Sequence, residues 1–128
     1  MAEERDLKTP PASEREAAAA EEAKTAIDAL RRRIDSIDDQ LMRLLNSRSA
    51  CAVEIGRVKR SLGLPVYSPE REAWILDRVM RENPGPLDAM AVRRVFERVI
   101  DESRRLERLA MDEEAHKGGE EVLEKGEE

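Results

Sequence analysis

The segment LMRLLNSRSACAVEIGRVKRSLGLP, residues 41–65, has the apolar periodicity of an α-helix. Alternating steps of three and four residues, followed in both directions, trace one stripe along this helix. Arg48 interrupts the stripe, although a guanidinium on an apolar face must find a partner or reach water. The stripe consists of Ile27, Leu30, Ile34, Ile37, Leu41, Leu44, Arg48, Cys51, Ile55, Val58 and Leu62.

The stripe predicts a first helix from about Lys24 to Ser61, ended by Gly63 and Pro65. A helix of about 38 residues would be about 57 Å long, which is roughly twice the width of a small domain. Two shorter helices in the same chain cannot cover a stripe of that length. We therefore expect a homodimer in which the first helices pair or interleave.

Two further helices follow in the sequence. The second is predicted to begin after Ser68 as N-cap, with Pro69 at its first position, and to end before NPGP, residues 83–86. The third is predicted to open after Asp88 as N-cap and to end near Ala110. No alternating β-type run competes with these patterns, so the predicted fold class is all-α, with one long and two shorter helices per chain.

The two ends of the chain differ from the middle in composition. Residues 1–23 are rich in Pro, Glu and Ala, and we expect a flexible segment there. Residues 112–128 are charged and include two adjacent glycines, which predicts a disordered acidic tail. The helical domain is therefore expected to span residues 24–111.

The charge distribution restricts the class of partner. The net charge of −6 divides into −3 over residues 1–27, +3 over residues 28–108 and −6 over residues 109–128. Because a polyanion needs a concentrated basic face, we expect neither nucleic acid nor an anionic membrane as a partner. The start of the chain has no apolar stretch of signal-peptide or membrane-span type, which favours a cytoplasmic location. With one cysteine and no cluster of ligating residues, we expect no metal or cofactor.

Several charged and polar side chains could converge on one ligand. Arg48 and Lys59 are eleven residues apart, so they lie on the same helix face about 16 Å apart. The ordinary interpretation is that both snorkel to solvent, which is hardest for Arg48 because it lies within the stripe. Glu107 could equally form a simple salt bridge, and Ser103 could satisfy itself against the backbone. The alternative is a site that binds a small polyanion by positioning and charge stabilisation, without a covalent step. Its candidate residues are Arg48, Lys59, Arg71, Glu72, Ser103 and Glu107.

Three blocks of sequence in this order resemble the all-helical class of chorismate mutases, the type II chorismate mutase domain. The blocks are LRRRIDSIDDQLMRLLNSRSACAVEIGRVK, LPVYSPERE and FERVIDESRRLE, within about residues 27–110. The resemblance implies an intertwined homodimer of three-helix chains with two equivalent sites and no cofactor. It also implies the pericyclic rearrangement of chorismate to prephenate, in the shikimate pathway toward phenylalanine and tyrosine.

The resemblance assigns roles to ten residues. Arginines would bind the two carboxylates of chorismate, and Glu72 would accept a hydrogen bond from the ring hydroxyl. Lys59 and Glu107 would flank the ether oxygen, where negative charge grows in the transition state. Arg31 is 28 residues from Lys59, or about 42 Å along one helix, so it would have to reach the site of the partner chain. The implied catalytic residues are Arg48, Lys59 and Glu107, and the implied binding residues also include Arg31, Ser68, Arg71, Glu72, Ser103, Ile55 and Ile100.

Two positions depart from the family pattern. Ser68 stands where members often have Asp, so a polar contact from its side chain would be weaker. Glu107 stands where many bacterial members have Gln, and an ionised carboxylate cannot donate a hydrogen bond. We therefore expect Glu107 to act in its protonated form, so that turnover falls as the pH rises through its pKa.

Two other functions remain open at the level of sequence. A relative of the same fold removes pyruvate from isochorismate, and the same arginines would bind that dianion. The chain could also be a non-catalytic helical dimer that regulates another enzyme of aromatic biosynthesis. An active enzyme that also forms a complex with another enzyme of the pathway is compatible with the same residues.

Overall fold

A computed structural model describes residues 11–126, with side chains described as far as Lys117. The chain forms three helices: α1 (Ala12–Ser61), α2 (Pro69–Glu82) and α3 (Ala89–Gly126). The described residues contain no β-strand, which confirms the predicted all-α fold class. Within the same residues, no helix combines the length and apolar character needed to cross a bilayer.

The chain divides into two compact units, and the first ends at Arg43. Its described part, residues 11–43, belongs almost entirely to α1. The apolar stripe there is not covered within the unit, since each of its five side chains is 48–54% exposed. These five residues are Ile27, Leu30, Ile34, Ile37 and Leu41.

Helix α1 begins at Ala12, about twelve residues before its predicted start. The predicted start of the first helix is therefore wrong, since residues 12–23 are helical, and the flexibility of this segment stays a prediction. Residues 1–10 lie outside the described part. The sequence EAAAAEEA, residues 16–23, consists of strong helix formers, which explains the earlier start of the helix. Arg15 N donates the first bond of this turn, to Pro11 O at 2.9 Å.

Helix α3 continues to Gly126, well past its predicted end near Ala110, and the expected disorder of residues 112–128 stays a prediction. Residues 127 and 128 lie outside the described part. Glu114 explains part of the extension, because it pairs with Arg57 Nε at 2.7 Å and with Arg60 Nη1 at 3.3 Å. These bonds attach the α3 extension to the last turns of α1. The sequence of residues 109–117 also has good helix propensity, which local composition rules for disorder overlook.

The second unit begins at Leu44 and contains the helix ends that position the site. Helix α1 closes with a Schellman motif, in which Leu64 N donates to Lys59 O at 2.8 Å and Gly63 N donates to Arg60 O at 3.1 Å. Gly63 has φ of 69°, a conformation that favours glycine. Ser68 Oγ caps α2 by accepting from Arg71 N at 3.3 Å. Asp88 Oδ1 caps α3 by accepting from Ala91 N at 2.8 Å.

The core of the second unit is thin. Helix α2 packs against α3, and the buried residues with described side chains are Gly56 on α1 and Ile100 and Ser103 on α3. Gly56 brings α1 close to α3, since a Cβ added there would lie 3.7 Å from Glu107 Cγ. The few buried residues therefore lie next to the polar residues that the sequence singled out.

Candidate active site

A pocket of about 260 Å³ opens in the second unit, where the last turns of α1, the segment before α2, and helices α2 and α3 meet. Nine of the ten residues assigned by resemblance line it: Arg48, Ile55, Lys59, Ser68, Arg71, Glu72, Ile100, Ser103 and Glu107. The other lining residues are Cys51, Ala52, Val66, Tyr67, Ile75 and Arg104. Residues far apart in the sequence thus meet in one hollow with an apolar wall and a charged rim.

Arg48 is half-buried and points toward α3. Its Nη1 donates a hydrogen bond to Ser103 Oγ at 3.1 Å, and Ser103 is only 5% exposed. A guanidinium has five N–H donors, so this bond leaves others for a ligand. The hydroxyl of Ser103 therefore provides the partner that an arginine on the apolar stripe requires.

Lys59 and Glu107 both line the pocket, and the charge of Lys59 acts on the Glu107 carboxyl. Lys59 Nζ donates to Val66 O at 3.4 Å, which holds the ammonium near the loop before α2. Burial raises the pKa of the Glu107 carboxyl above its ordinary value, and the charges of Lys59, Arg104 and Arg60 oppose that rise. A carboxyl with a raised pKa keeps its proton to higher pH and can then donate a hydrogen bond.

The first turns of α2 present a cation next to an aromatic ring. Arg71 lies over the indole of Trp74 at 4.5 Å from the ring centroid, and Arg78 lies over the same ring at 5.3 Å. The Ser68 cap fixes the backbone at Arg71, and the Arg71 side chain lines the pocket. Arg71 is exposed, so its guanidinium is accessible to an anionic ligand.

Arg104 is the charged lining residue that sequence reasoning missed. Its Nη2 donates to Glu72 Oε2, and its guanidinium lies 4.1 Å from the centroid of the Tyr67 ring. Its Nε is buried without a hydrogen-bond partner in the described structure. The available signal was its position three residues before Glu107, a spacing that places both side chains on neighbouring parts of one helix face.

Arg31 is the assigned residue that does not line the pocket. It belongs to the first unit, on an exposed part of α1. All residues that line the pocket belong to the second unit.

A larger hollow, of about 430 Å³, lies beside the first and shares Arg48, Arg71 and Ile75 with it. It is lined mainly by α2 and α3, and neither Lys59 nor Glu107 reaches it. The smaller pocket is the better candidate despite its size, because it alone of these two combines the ammonium with the carboxyl of raised pKa.

The sequence profile of the family described as chorismate mutase type II matches residues 30–108. The bifunctional chorismate mutase/prephenate dehydratase of Pseudomonas aeruginosa is 45% identical over 86 residues, which cover 63% of this chain and 24% of that protein. The chorismate mutase of Methanocaldococcus jannaschii is 28% identical over 89 residues, covering 69% of this chain and 90% of that protein. The chain thus spans about a quarter of the Pseudomonas relative and most of the archaeal one.

A solved structure of a chorismate mutase is also similar to this chain. The structure of chorismate mutase (form II) from Thermus thermophilus aligns with a TM-score of 0.63 and 38% identity. The alignment covers 65% of this chain and 94% of the Thermus chain.

Proposed function

The chain belongs to the chorismate mutase type II family, and on that basis we propose that it catalyses the rearrangement of chorismate to prephenate. The observation that carries this proposal is one pocket lined by the cations Arg48, Lys59 and Arg71, by Glu107 and by the apolar side chains of Ile55 and Ile100. Chorismate is a small dianion whose rearrangement needs no covalent help. Such a pocket can fold the substrate and stabilise the charge that develops during reaction.

Each group has a place in this reaction. Arg48 and Arg71 bind the two carboxylates, since a guanidinium matches the geometry of a carboxylate with two parallel donors. The ether C–O bond breaks as the new C–C bond forms, and negative charge accumulates on the ether oxygen. Lys59 and protonated Glu107 donate to that oxygen, and these bonds strengthen in the transition state.

The active form is an intertwined homodimer in which Arg31 completes the site of the partner subunit. The support is the apolar stripe of the first unit, whose side chains are about half exposed in the single chain. A second support is the separation of Arg31 from Lys59 in the sequence, which is too long for one small ligand to contact both on a single helix. A complex with a further enzyme of aromatic-amino-acid biosynthesis stays a prediction.

The test is to mix purified protein with chorismate and, separately, with isochorismate, follow the loss of substrate absorbance and identify the product. Prephenate formation supports the proposal. Pyruvate together with salicylate would instead support an isochorismate pyruvate lyase-like enzyme, if isochorismate is the substrate consumed. A stable dimer that turns over neither substrate would support a non-catalytic regulatory partner and overturn the proposal.

A further inference from the structure

Glu72, Arg104 and Tyr67 form a cluster at one side of the pocket, contributed by α2, α3 and the loop before α2. We propose that Arg104 is a positioning residue that holds the Glu72 carboxylate in the orientation needed to accept a hydrogen bond from the substrate hydroxyl. This inference rests on the proposed function, because it concerns how the same pocket recognises its substrate.

Arg104 is restrained on two sides. One guanidinium nitrogen donates to Glu72 Oε2, and the guanidinium carbon lies over the Tyr67 ring at 4.1 Å. A guanidinium that is both paired and stacked loses much of its rotational freedom. Glu72, with a side chain only 19% exposed, is restrained with it.

The restraint leaves one oxygen of Glu72 available. Among the described residues, the hydrogen bond from Arg104 to Oε2 is the one that Glu72 receives on its side chain. A carboxylate can accept several hydrogen bonds, so Oε1 can accept from a hydroxyl group of a bound ligand. Glu72 Oε2 thus binds Arg104, and within the described chain Glu72 Oε1 remains free to bind the substrate hydroxyl.

The ion pairs of the pocket distinguish Arg104 from Arg48 and Arg71, the arginines that would bind the carboxylates of the substrate. Arg104 already has a carboxylate partner in Glu72. Within the described residues, neither Arg48 nor Arg71 has an acidic side chain within 4.0 Å, so their charges remain available to a dianion. Arg104 therefore acts on substrate through Glu72.

The charge of Arg104 also affects Glu107. Glu107 faces Lys59 and Arg60 from α1, Glu72 from α2 and Arg104 from its own helix. Burial and Glu72 raise the pKa of Glu107, whereas the three cations oppose the rise. Replacing Arg104 by a neutral residue should therefore raise this pKa further and extend activity to higher pH.

The experiment compares R104Q, R104K and the matched control R105Q with the wild type. Arg105 is adjacent on α3, exposed, and paired with Glu102 outside the pocket. We expect R104Q to lower kcat/KM about 10- to 100-fold, as for loss of a hydrogen bond to a charged group. R105Q should stay within about twofold of the wild type, since exposed ion pairs contribute little. R104K keeps the charge but not the planar fork, so it should lose kcat/KM while retaining the wild-type pH profile.

A double-mutant cycle with Glu72→Gln tests whether Arg104 acts through Glu72. If it does, the double variant E72Q/R104Q is no less active than E72Q alone. Fully multiplicative losses would overturn the inference, and so would an R104Q enzyme with wild-type kcat/KM and pH profile.

Thermal unfolding of each variant identifies any that fail to fold. If R104Q is among them, R104K takes its place, and an R104K enzyme with wild-type kcat/KM would overturn the inference. A wild-type protein that makes no prephenate would overturn the proposed function and this inference with it, whereas the other outcomes concern Arg104 alone.

Discussion

Arg48 shows how a charged residue on an apolar helix face can have a hydrogen-bond partner inside the fold. Its partner Ser103 is almost fully buried and lies 55 residues away in the sequence. Because Arg48 is half-buried, water reaches part of its guanidinium, and the bond to Ser103 satisfies a donor that points into the fold. The ordinary interpretation of Arg48 as a snorkelling residue is therefore incomplete, because its side chain points to a hydroxyl inside the pocket.

Glu107 provides a prediction at the scale of one residue. Its pKa is raised mainly by burial, so the carboxyl is protonated below that pKa and ionised above it. Only the protonated form donates a hydrogen bond, so turnover should fall about tenfold for each pH unit above the raised pKa. Glu107→Gln, which donates at every pH, should be more active than the wild type at alkaline pH.

The measurement for Glu107 is kcat as a function of pH from the initial rate of prephenate formation. Glu102→Gln is the matched control, because Glu102 is on the same helix and its pKa is lowered by its hydrogen bond to Arg105. This control should keep the wild-type profile. A wild-type kcat that does not change from acid to alkaline pH would contradict the prediction.

At the scale of the residue, the sequence predicted which residues line the pocket better than it predicted the contacts that they make. Nine of the ten residues assigned by resemblance line one pocket, and their roles stay predictions. The resemblance carried over only positions that the family uses, so Arg104 was missed. Its contact with Glu72 depends on how α2 packs against α3, which no local pattern contains.

At the scale of the helix, the ends were predicted well where a short-range rule applies. Ser68, Asp88 and Gly63 each satisfy backbone groups within five residues, so their positions follow from local chemistry. The outer ends of α1 and α3 were predicted wrongly. There the high charge of the sequence suggested disorder, although Ala and Glu are strong helix formers and Glu114 binds to α1 through Arg57 and Arg60.

The Schellman motif at the end of α1 gives a prediction about stability. Gly63 has φ of 69°, and a Cβ added there would meet nothing within 4 Å. Gly63→Ala should therefore destabilise the fold by about 1 kcal/mol through backbone strain alone, without a steric clash. Gly63→Asn should cost less, because asparagine tolerates the left-handed conformation.

Urea unfolding followed by circular dichroism measures this difference, at one fixed protein concentration because association would shift the midpoint. Equal midpoints for Gly63→Ala and the wild type would show that this glycine is not required by its backbone conformation.

At the scale of the whole molecule, the apolar stripe of the first unit is half exposed in the single chain. A homodimer is the simplest assembly that would cover this stripe. The length of the stripe predicts the same association from the sequence alone, and the homodimer stays a prediction. The single chain contains the pocket but not Arg31 within its lining.

Mixing two inactive variants tests the shared site. Arg31→Ala and Arg48→Ala chains should each have low activity alone. After subunit exchange, about half of the dimers are mixed, and each mixed dimer has one site with both arginines, so about a quarter of wild-type activity should return. If Arg31 served its own chain, every site would keep a defect and no activity would return. Wild-type activity measured at equal total concentration provides the reference.

The only tryptophan of the sequence, Trp74, has the guanidinium groups of Arg71 and Arg78 over its ring. If a dianionic ligand draws Arg71 away from the indole, the intrinsic emission of the protein must change, with Trp74→Phe as the blank. Titration with an unreactive dicarboxylate analogue should show a saturable change in tryptophan emission. An analogue that inhibits the enzyme but leaves the emission unchanged would contradict the role of Arg71. A chain so poor in aromatic residues thereby has a built-in optical reporter beside its pocket, which separates ligand capture from turnover without any label.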